Sequence, residues 1–411
     1  MNSRVAPSQP PRLDRIRHYA NDLAQGLGKV ASKFVQDAVT GIYLAKSVNL
    51  TEIAHALDED IAIHATQKRL SRNLGRANIR DAVSEALLTM AARRVHKDTT
   101  LNVHVRDLTK RYARKMQYLF SPEPSPVQNP NGYRICEVVA CEPNSDRHTP
   151  IAAHLWSCHA PGFTSDSEEI ITTIRRVLAA THGRGIVHPS PSVYDHGTEV
   201  EDLAAIEGMR GLLFLGAPDP EQGKRWIYRH RSMSDVEIAD ICNLPYGVTL
   251  YKMHPDDRGE KSIFTEFGSV KVGHSSLRDR LGSLVINRYD TSAVRGLPKQ
   301  PYLAFSTVPL KNTHAALTGV ASVLVSGPQT VAANVQHKDS YNLAGLRVLS
   351  YRRMQTLLTL LQATTFYEAA VTRRARIIDI SGSLKPQLGN HPRTFLLPET
   401  ANQQPSLRIR R

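Results

Sequence analysis

The chain has 411 residues, 41% hydrophobic and 22% charged, which excludes a disordered chain and leaves room for two or three units with a sizeable buried core. Lys and Arg number 52 against 38 Asp and Glu, a formal charge of +14, and a surplus of that size suits a polyanion such as nucleic acid or else marks a basic protein with no such partner. The four cysteines, Cys136, Cys141, Cys158 and Cys242, form no CxxC pair and are too few for a disulfide scaffold, so buried reduced thiols in a cytoplasm are expected.

The opening MNSRVAPSQPPR has no apolar run behind its charge, so no secretory signal is expected and residues 1–12 read as disordered. Residues 13–98 read as helical, because Leu13, Ile16, Tyr19, Ala20, Leu23 and Leu27 recur at helical spacing. NLTEIAHAL (49–57) predicts a short helix with Asn49 or Thr51 as its cap. A second helix follows through Gln67–Gly75, in which Lys68, Arg72 and Arg76 fall at i, i+4 and i+8 with Arg69 beside them. The pair reads as a helix-turn-helix with its basic helix against DNA, or as the solvated face of an ordinary bundle.

Beyond residue 100 the pattern changes to strands. Leu101–Val105 alternates, and a basic stretch KRYARKM (110–116) adds Lys110, Arg111, Arg114 and Lys115 as further DNA-binding candidates. After a Pro/Asn-rich loop at Pro122–Asn131, Gly132–Cys141 and Ile151–Trp156 read as strands. Ser165–Ala180 is an amphipathic helix with Glu168 and Glu169 in its first turn, ended by THGRG, and Ile186–His188 begins another strand. Gly211–Gly216, Trp226–Arg229, Val248–Met253, Ser269–Val272, Ser283–Asn287 and Tyr302–Ser306 are short strands of a β-rich segment. Ala344–Ala370 returns to helical periodicity, and the tail from Ser381, ending in Arg408, Arg410 and Arg411, reads as loosely ordered. No stretch suits a bilayer: residues 312–337 lack charge but are broken by Gly327, Pro328, Asn334 and Gln336, and Leu357–Phe366 is too short. A soluble, cytoplasmic, nucleoid-associated protein is expected.

Several segments in this order resemble the DDE transposase family of bacterial insertion sequences: AKSVNLTEIAHAL, QKRLSRNLG, VRDLTKRYARKM, NGYRICEVVACEP, APGFTSDSEEIITTIRRVLAATHGRGI and YNLAGLRVLSYRRM, together spanning most of residues 35–370. The resemblance implies an α/β fold, a ribonuclease-H-like core with an N-terminal helical domain and an inserted β-rich domain. The corresponding boundaries are a helical DNA-binding domain at 13–98, the first part of the core at 99–208, the inserted β-rich domain at 209–312, the C-terminal helical part of the core at 313–380 and a basic tail at 381–411. Such enzymes cut and join DNA with three carboxylates that hold a pair of divalent ions about 3.5–4 Å apart, and hard ions of this kind want anionic oxygen ligands.

In this sequence those three positions are degenerate. His104 stands where the first Asp would end the first strand, with Asp107 three residues on. Ser190, between Pro189 and Pro191, stands near the second. The late Tyr–Arg–Glu–Lys signature falls on Val325, Pro328, Ala332 and Asp339, with Lys338 as a retained Lys in a shifted register. No register supplies a Glu, because no acidic residue lies between Asp290 and Asp339. A rescued metal site would have to combine His104, Asp107, His188 and Asp195, in which imidazole suits zinc or iron better than magnesium, so no metal ligands are expected. Ser190 lacks nucleophile-elbow glycines, and Cys158–His159 are sequence neighbours only.

The expectation is therefore a transposase-like DNA-binding protein without catalytic residues or cofactor, acting as a transposon-end binder, a repressor or a domesticated derivative. Its partners would be double-stranded DNA, with transposon terminal inverted repeats as candidate sites, and a second copy as a homodimer on DNA, with no membrane. One alternative is an active transposase using Mg2+ with displaced carboxylates at Asp107, Asp195 and Glu368. Another is a decayed or purely protein-interaction remnant.

Overall fold

A computed structural model of the chain describes residues 11–110, 113, 115–120, 131–142, 148–216, 218–221, 223–242, 244, 246–253, 261–275, 277–289, 302–308, 331, 333–345, 348–371, 383–384 and 394–398. Five helices open it: α1 Pro11–Leu23, α2 Lys29–Ala45, α3 Leu50–Leu57, α4 Ile63–Leu74 and α5 Ile79–Ala92. Their apolar residues three and four apart turn to one side, so that Ile16, Ala20 and Leu23 of α1 are buried, as are Phe34, Val35, Ala38 and Ile42 of α2. Asn49 caps α3, its side chain accepting from the Thr51 N–H at 3.0 Å. Where α2 crosses α3, Gly41 leaves room for Ile53; a Cβ there would sit 2.5 Å from the Ile53 methyl.

A four-stranded sheet follows, of β1 Thr100–Thr109, β2 Gly132–Cys141, β3 His148–Trp156 and β4 Ile186–Pro189, in the order β3-β2-β1-β4. The first three strands are antiparallel neighbours, and β4 runs parallel to β1 with Asn102 beside His188. Between β3 and β4 lies α6, Asp166–Thr181, opened by Ser165, which accepts from the Glu168 N–H at 3.1 Å. The helix ends at His182 with φ 53°, and Gly185 at φ 90° lets the chain pass Leu101 and Val95 into β4. Past β4, Pro191 opens the single turn α7 Pro191–Tyr194, and α8 Val200–Ala204 leads to β5 Leu212–Gly216. Gly211 bridges Val187 in the parallel sense, which sets the start of β5 alongside β4.

From β5 the chain enters a second, nine-stranded sheet. Its members include β6 Trp226–Tyr228, β7 Arg231–Met233, β8 Tyr246–Met253, β9 Lys261–His274, β10 Leu277–Tyr289 and β11 Tyr302–Ser306, with the short helix α9 Asp235–Ile241 between β7 and β8. The long path runs β8-β9-β10-β11-β5, so β5 bridges to the first sheet on one side and pairs with β11 on the other. Strands were expected at six places in this region, and each is present; β7 and α9 were not expected. The tail departs from expectation. Two of its segments, β12 Ser383–Leu384 and β13 Thr394–Pro398, pair with β8, the former antiparallel and the latter parallel. An edge strand offers unpaired N–H and C=O groups, and TFLLP is a segment able to take them. Arg408, Arg410 and Arg411 lie outside the described residues.

A helical run at 333–339, α10, precedes α11 Tyr351–Val371. The last helix starts later than its periodicity suggests: residues 341–345 form turns, with Asn342 at φ 59°, and the Tyr351 N–H is taken by the Gln117 side-chain oxygen at 3.1 Å. Nearly every residue from Thr356 to Tyr367 is buried, because α11 packs on β3 on one side and on α2 and α5 on the other. The Tyr19 hydroxyl donates to the Ala363 carbonyl at 2.8 Å and the Gln355 amide to the Leu155 carbonyl at 3.1 Å. The chain is thus α/β, with mixed sheets, and α11 joins the helical unit to the first sheet. Among the described residues no helix is long and apolar enough to cross a membrane.

Candidate functional site: a buried charge cluster and an exposed basic helix

Strand periodicity of two decides which side chains meet at the centre of the first sheet. Asn102, His104 and Arg106 share one face of β1, and the register sets His104 opposite Glu137 of β2 on that same face. The face is covered by α10 and α11, which supply Lys338 and Gln362. The opposite face carries Cys136, whose thiol is bonded to Thr173 of α6 and pushed up by burial.

Glu137 is fully buried, and three groups surround it. One carboxylate oxygen accepts from Arg106 Nε at 2.9 Å and faces His104 Nε2 at 3.1 Å; the other is paired with the Lys338 ammonium. Lys338, equally buried, also donates to the Gln362 side-chain oxygen Oε1, and Arg106 Nη1 reaches Asp339 Oδ1 at 3.0 Å. Burial alone would raise the Glu137 carboxyl, but the Lys338 ammonium, the Arg106 guanidinium and the His104 hydrogen bond outweigh it and hold the group well below the usual carboxylate range. Burial lowers the Lys338 ammonium, and Glu137 offsets that in part. The cluster therefore sets two carboxylates, Glu137 and Asp339, against two cations, Arg106 and Lys338.

The divalent pair implied by the resemblance does not fit these residues. His104, which the resemblance sets at the first carboxylate position, is engaged with Glu137. Ser190 does stand at the end of β4, but as the residue before α7: its N–H donates to the Val103 carbonyl at 2.8 Å and its hydroxyl shares a hydrogen bond with Ser192 at 2.8 Å. Ala332, Val325 and Pro328 lie outside the described residues. The Glu137 carboxylate is already matched by fixed cations, so a doubly charged ion would find no uncommitted anionic ligand beside it among the described residues.

Two of the three fallback carboxylates are engaged by other partners, and the third is exposed. Asp107 lies on the opposite face of β1 from His104, beside Arg134 at 3.7 Å, and Asp195 is exposed at the end of α7. Glu368 is held by Lys46, by the Tyr341 hydroxyl at 2.7 Å and by His337 Nε2 at 2.8 Å. His188 points its Nδ1 at the Leu212 carbonyl, 3.0 Å away, and burial lowers its pKa. Among the described residues no three His, Cys, Asp or Glu side chains converge as a metal site requires. The four cysteines are free thiols; His159 beside Cys158 is bonded to the Leu119 carbonyl at 2.8 Å, and burial pushes the Cys158 thiol up.

The basic candidates divide. Lys68, Arg72 and Arg76 are exposed along one face of α4 and its C-terminal end. Arg69 belongs to a different set: it turns inward, with Nη1 at 2.7 Å from Asp37 Oδ2 and Nη2 at 2.5 Å from Glu59 Oε2, tying α4 to α2 and to the turn after α3. Lys110 is buried, donating to the Leu343 and Ala344 carbonyls, and desolvation pushes its ammonium down to about 8. It fastens the end of β1 to the segment after α10 and is no surface cation. Lys115 is exposed, and Arg111 and Arg114 lie outside the described residues. Glu137 and Arg106 were not expected from sequence, although a lone Glu within the apolar strand YRICEVVAC and an Arg two residues from His104 were the available signals.

No protein-family model matches the chain, and no curated protein does. Among solved structures it is similar to a piggyBac transposase synaptic complex with hairpin DNA, solved by cryo-EM, with a TM-score of 0.31 and 8% identity over 89% of this chain and 74% of that one. Likeness of that degree fixes neither fold nor function.

Proposed function

We propose that the protein is a transposase-like DNA-binding protein of the DDE type that does not cleave DNA, acting at transposon ends as a binder, repressor or domesticated derivative. The observation that carries the reading is the exposed stripe of Lys68, Arg72 and Arg76 on α4, the second helix of the α3–α4 pair, with no acidic partner among the described residues. Sheet order supports the fold half of the reading. Strands in the order β3-β2-β1-β4, with β5 starting beside β4 and α6 between β3 and β4, are what a ribonuclease-H-like core requires. On this reading residues 13–98 bind DNA, 99–208 and 313–380 form the core, 209–312 are the inserted β-rich domain and 381–411 the basic tail. The functional form would be a homodimer on double-stranded DNA, associated with the nucleoid. The charge-neutral cluster at Glu137 supports inactivity, since two-metal cleavage needs anionic ligands that are not already spent on lysine and arginine.

Electrophoretic binding to a panel of terminal inverted repeats and random duplexes, with and without EDTA, tests the first half. Binding that weakens steeply with salt and is indifferent to EDTA is expected. No affinity at low salt would remove the proposal. Strand-cleavage and strand-transfer assays with Mg2+ or Mn2+ test the second half, and any product would overturn it.

A further inference from the structure

We infer that the DNA-facing surface continues from α4 onto the start of α11, so that the helical unit and the core grip one duplex backbone together. This rests on the DNA binding proposed above and adds a second set of residues to it. Arg353 of α11 donates from Nη1 to the Ser71 hydroxyl of α4 at 3.2 Å, and Gly75 lies so close that a Cβ on it would be 3.4 Å from Arg353 Nε. Arg353 therefore runs beside the last turns of α4, where Arg72 and Arg76 emerge. Arg352 next to it is exposed. Exposed Lys115 lies two residues before Gln117, whose backbone N–H donates to the Leu349 carbonyl at 2.9 Å and whose side chain caps Tyr351 at the start of α11.

Charge decides what this edge fits. Lys68, Arg72, Arg76, Lys115, Arg352 and Arg353 have no ion-pair partner among the described residues, and Arg353 spends its hydrogen bond on a neutral hydroxyl. Neighbouring Arg80 differs, because Asp81 answers it at 2.8 Å. At the other end of α4, Asp58 and Asp60 flank Glu59 and repel phosphate. The turn that leads into α4 is thus acidic and the helix is basic where it meets α11, which displaces the contact from the N-terminal end of α4 toward the core. Like charges gathered without counter-charges destabilise the free protein slightly and favour a polyanion. From Lys68 to Arg76 the stripe spans about 12 Å, against one duplex charge per roughly 1.7 Å of axis.

The test is fluorescence anisotropy of a labelled random duplex with the full chain across a salt series. Six phosphate contacts give a log–log salt slope of about −5. In R352A/R353A two contacts go, so the slope should flatten by about 1.8 and affinity at 0.1 M salt should fall roughly 50-fold. R352K/R353K keeps the charges and should stay within about threefold of the parent. R72A/R76A should lose about as much as R352A/R353A. If R352A/R353A keeps the parental slope while R72A/R76A is weakened, the extended surface is wrong and the DNA-binding reading stands. If the parent binds no duplex, that underlying reading fails instead. Equal affinity for anionic vesicles would show that the edge serves another polyanion and would overturn the inference. Should R352A/R353A fail to fold by circular dichroism, R352E alone, at an exposed position, must still flatten the slope.

Discussion

Replacing Lys338 by Met tests the central cluster most directly. The ammonium is fully buried between the Glu137 carboxylate and the Gln362 side-chain oxygen, so the substitution keeps most of the side-chain volume while removing the charge. Removing one partner of a buried ion pair costs about 3–5 kcal/mol, because the other charge is left without its counter-ion. Arg106 and His104 still reach Glu137, which places the expected loss nearer the lower figure. At 2–4 °C per kcal/mol the melting temperature should fall by roughly 10 °C. The pH dependence gives a sharper reading. In the parent Glu137 is held below its unfolded pKa, so its contribution is present above that value and is lost as pH falls through the folded one. With Lys338 gone, burial gains weight against the remaining cations and the carboxyl rises, so part of the variant's deficit is relieved in acid by protonation. The parent–variant gap in Tm should therefore be widest near neutrality and shrink toward pH 4, measured by scanning calorimetry. A K338M protein that melts within about 2 °C of the parent, or whose gap is flat with pH, would refute the assignment of Lys338 as the counter-ion that keeps Glu137 charged.

Two further outcomes follow from groups that tie elements together. R69A should destabilise the helical unit by about 1–3 kcal/mol in urea melts while leaving the salt slope of DNA binding unchanged, because Arg69 serves Asp37 and Glu59 and not the outer face of α4. E368Q should lower the melting temperature at neutral pH and converge with the parent as pH falls toward 2. Burial raises the Glu368 carboxyl, but His337, Lys46 and Tyr341 bring it down to about 2, so its contribution is present above the unfolded value near 4.5 and is lost between there and the folded one.

Periodicity and capping made most of the fold legible. Gly132–Cys141 coincides with β2, Asn49 caps α3 and Ser165 caps α6 because local pattern and tertiary position agree there. What escaped was set by partners far along the chain. Lys110 looked like the first residue of a surface stretch, yet its ammonium is claimed by carbonyls more than 230 positions away. Arg69 sits at a position that reads as part of the basic stripe, and only the folded α2 brings Asp37 to it. The edge of β8, which the tail joins, exists only once the second sheet has formed. The absence of acids between Asp290 and Asp339 was readable at once, but not that Glu137, from a strand given no role, would supply the central carboxylate.

The cluster and the basic edge are linked by electrostatics. A core with three unneutralised carboxylates repels phosphate until divalent ions offset them, so such a core needs metal to approach DNA at all. Here the central carboxylate is matched internally by Lys338 and Arg106, and the uncompensated charge of the described core edge, at Lys115, Arg352 and Arg353, is positive. On the proposed reading, a centre whose charge is matched internally offers no free ligands for cleavage and no barrier to metal-free binding. On the proposed reading, loss of cutting and retention of grip are therefore two consequences of one change in charge.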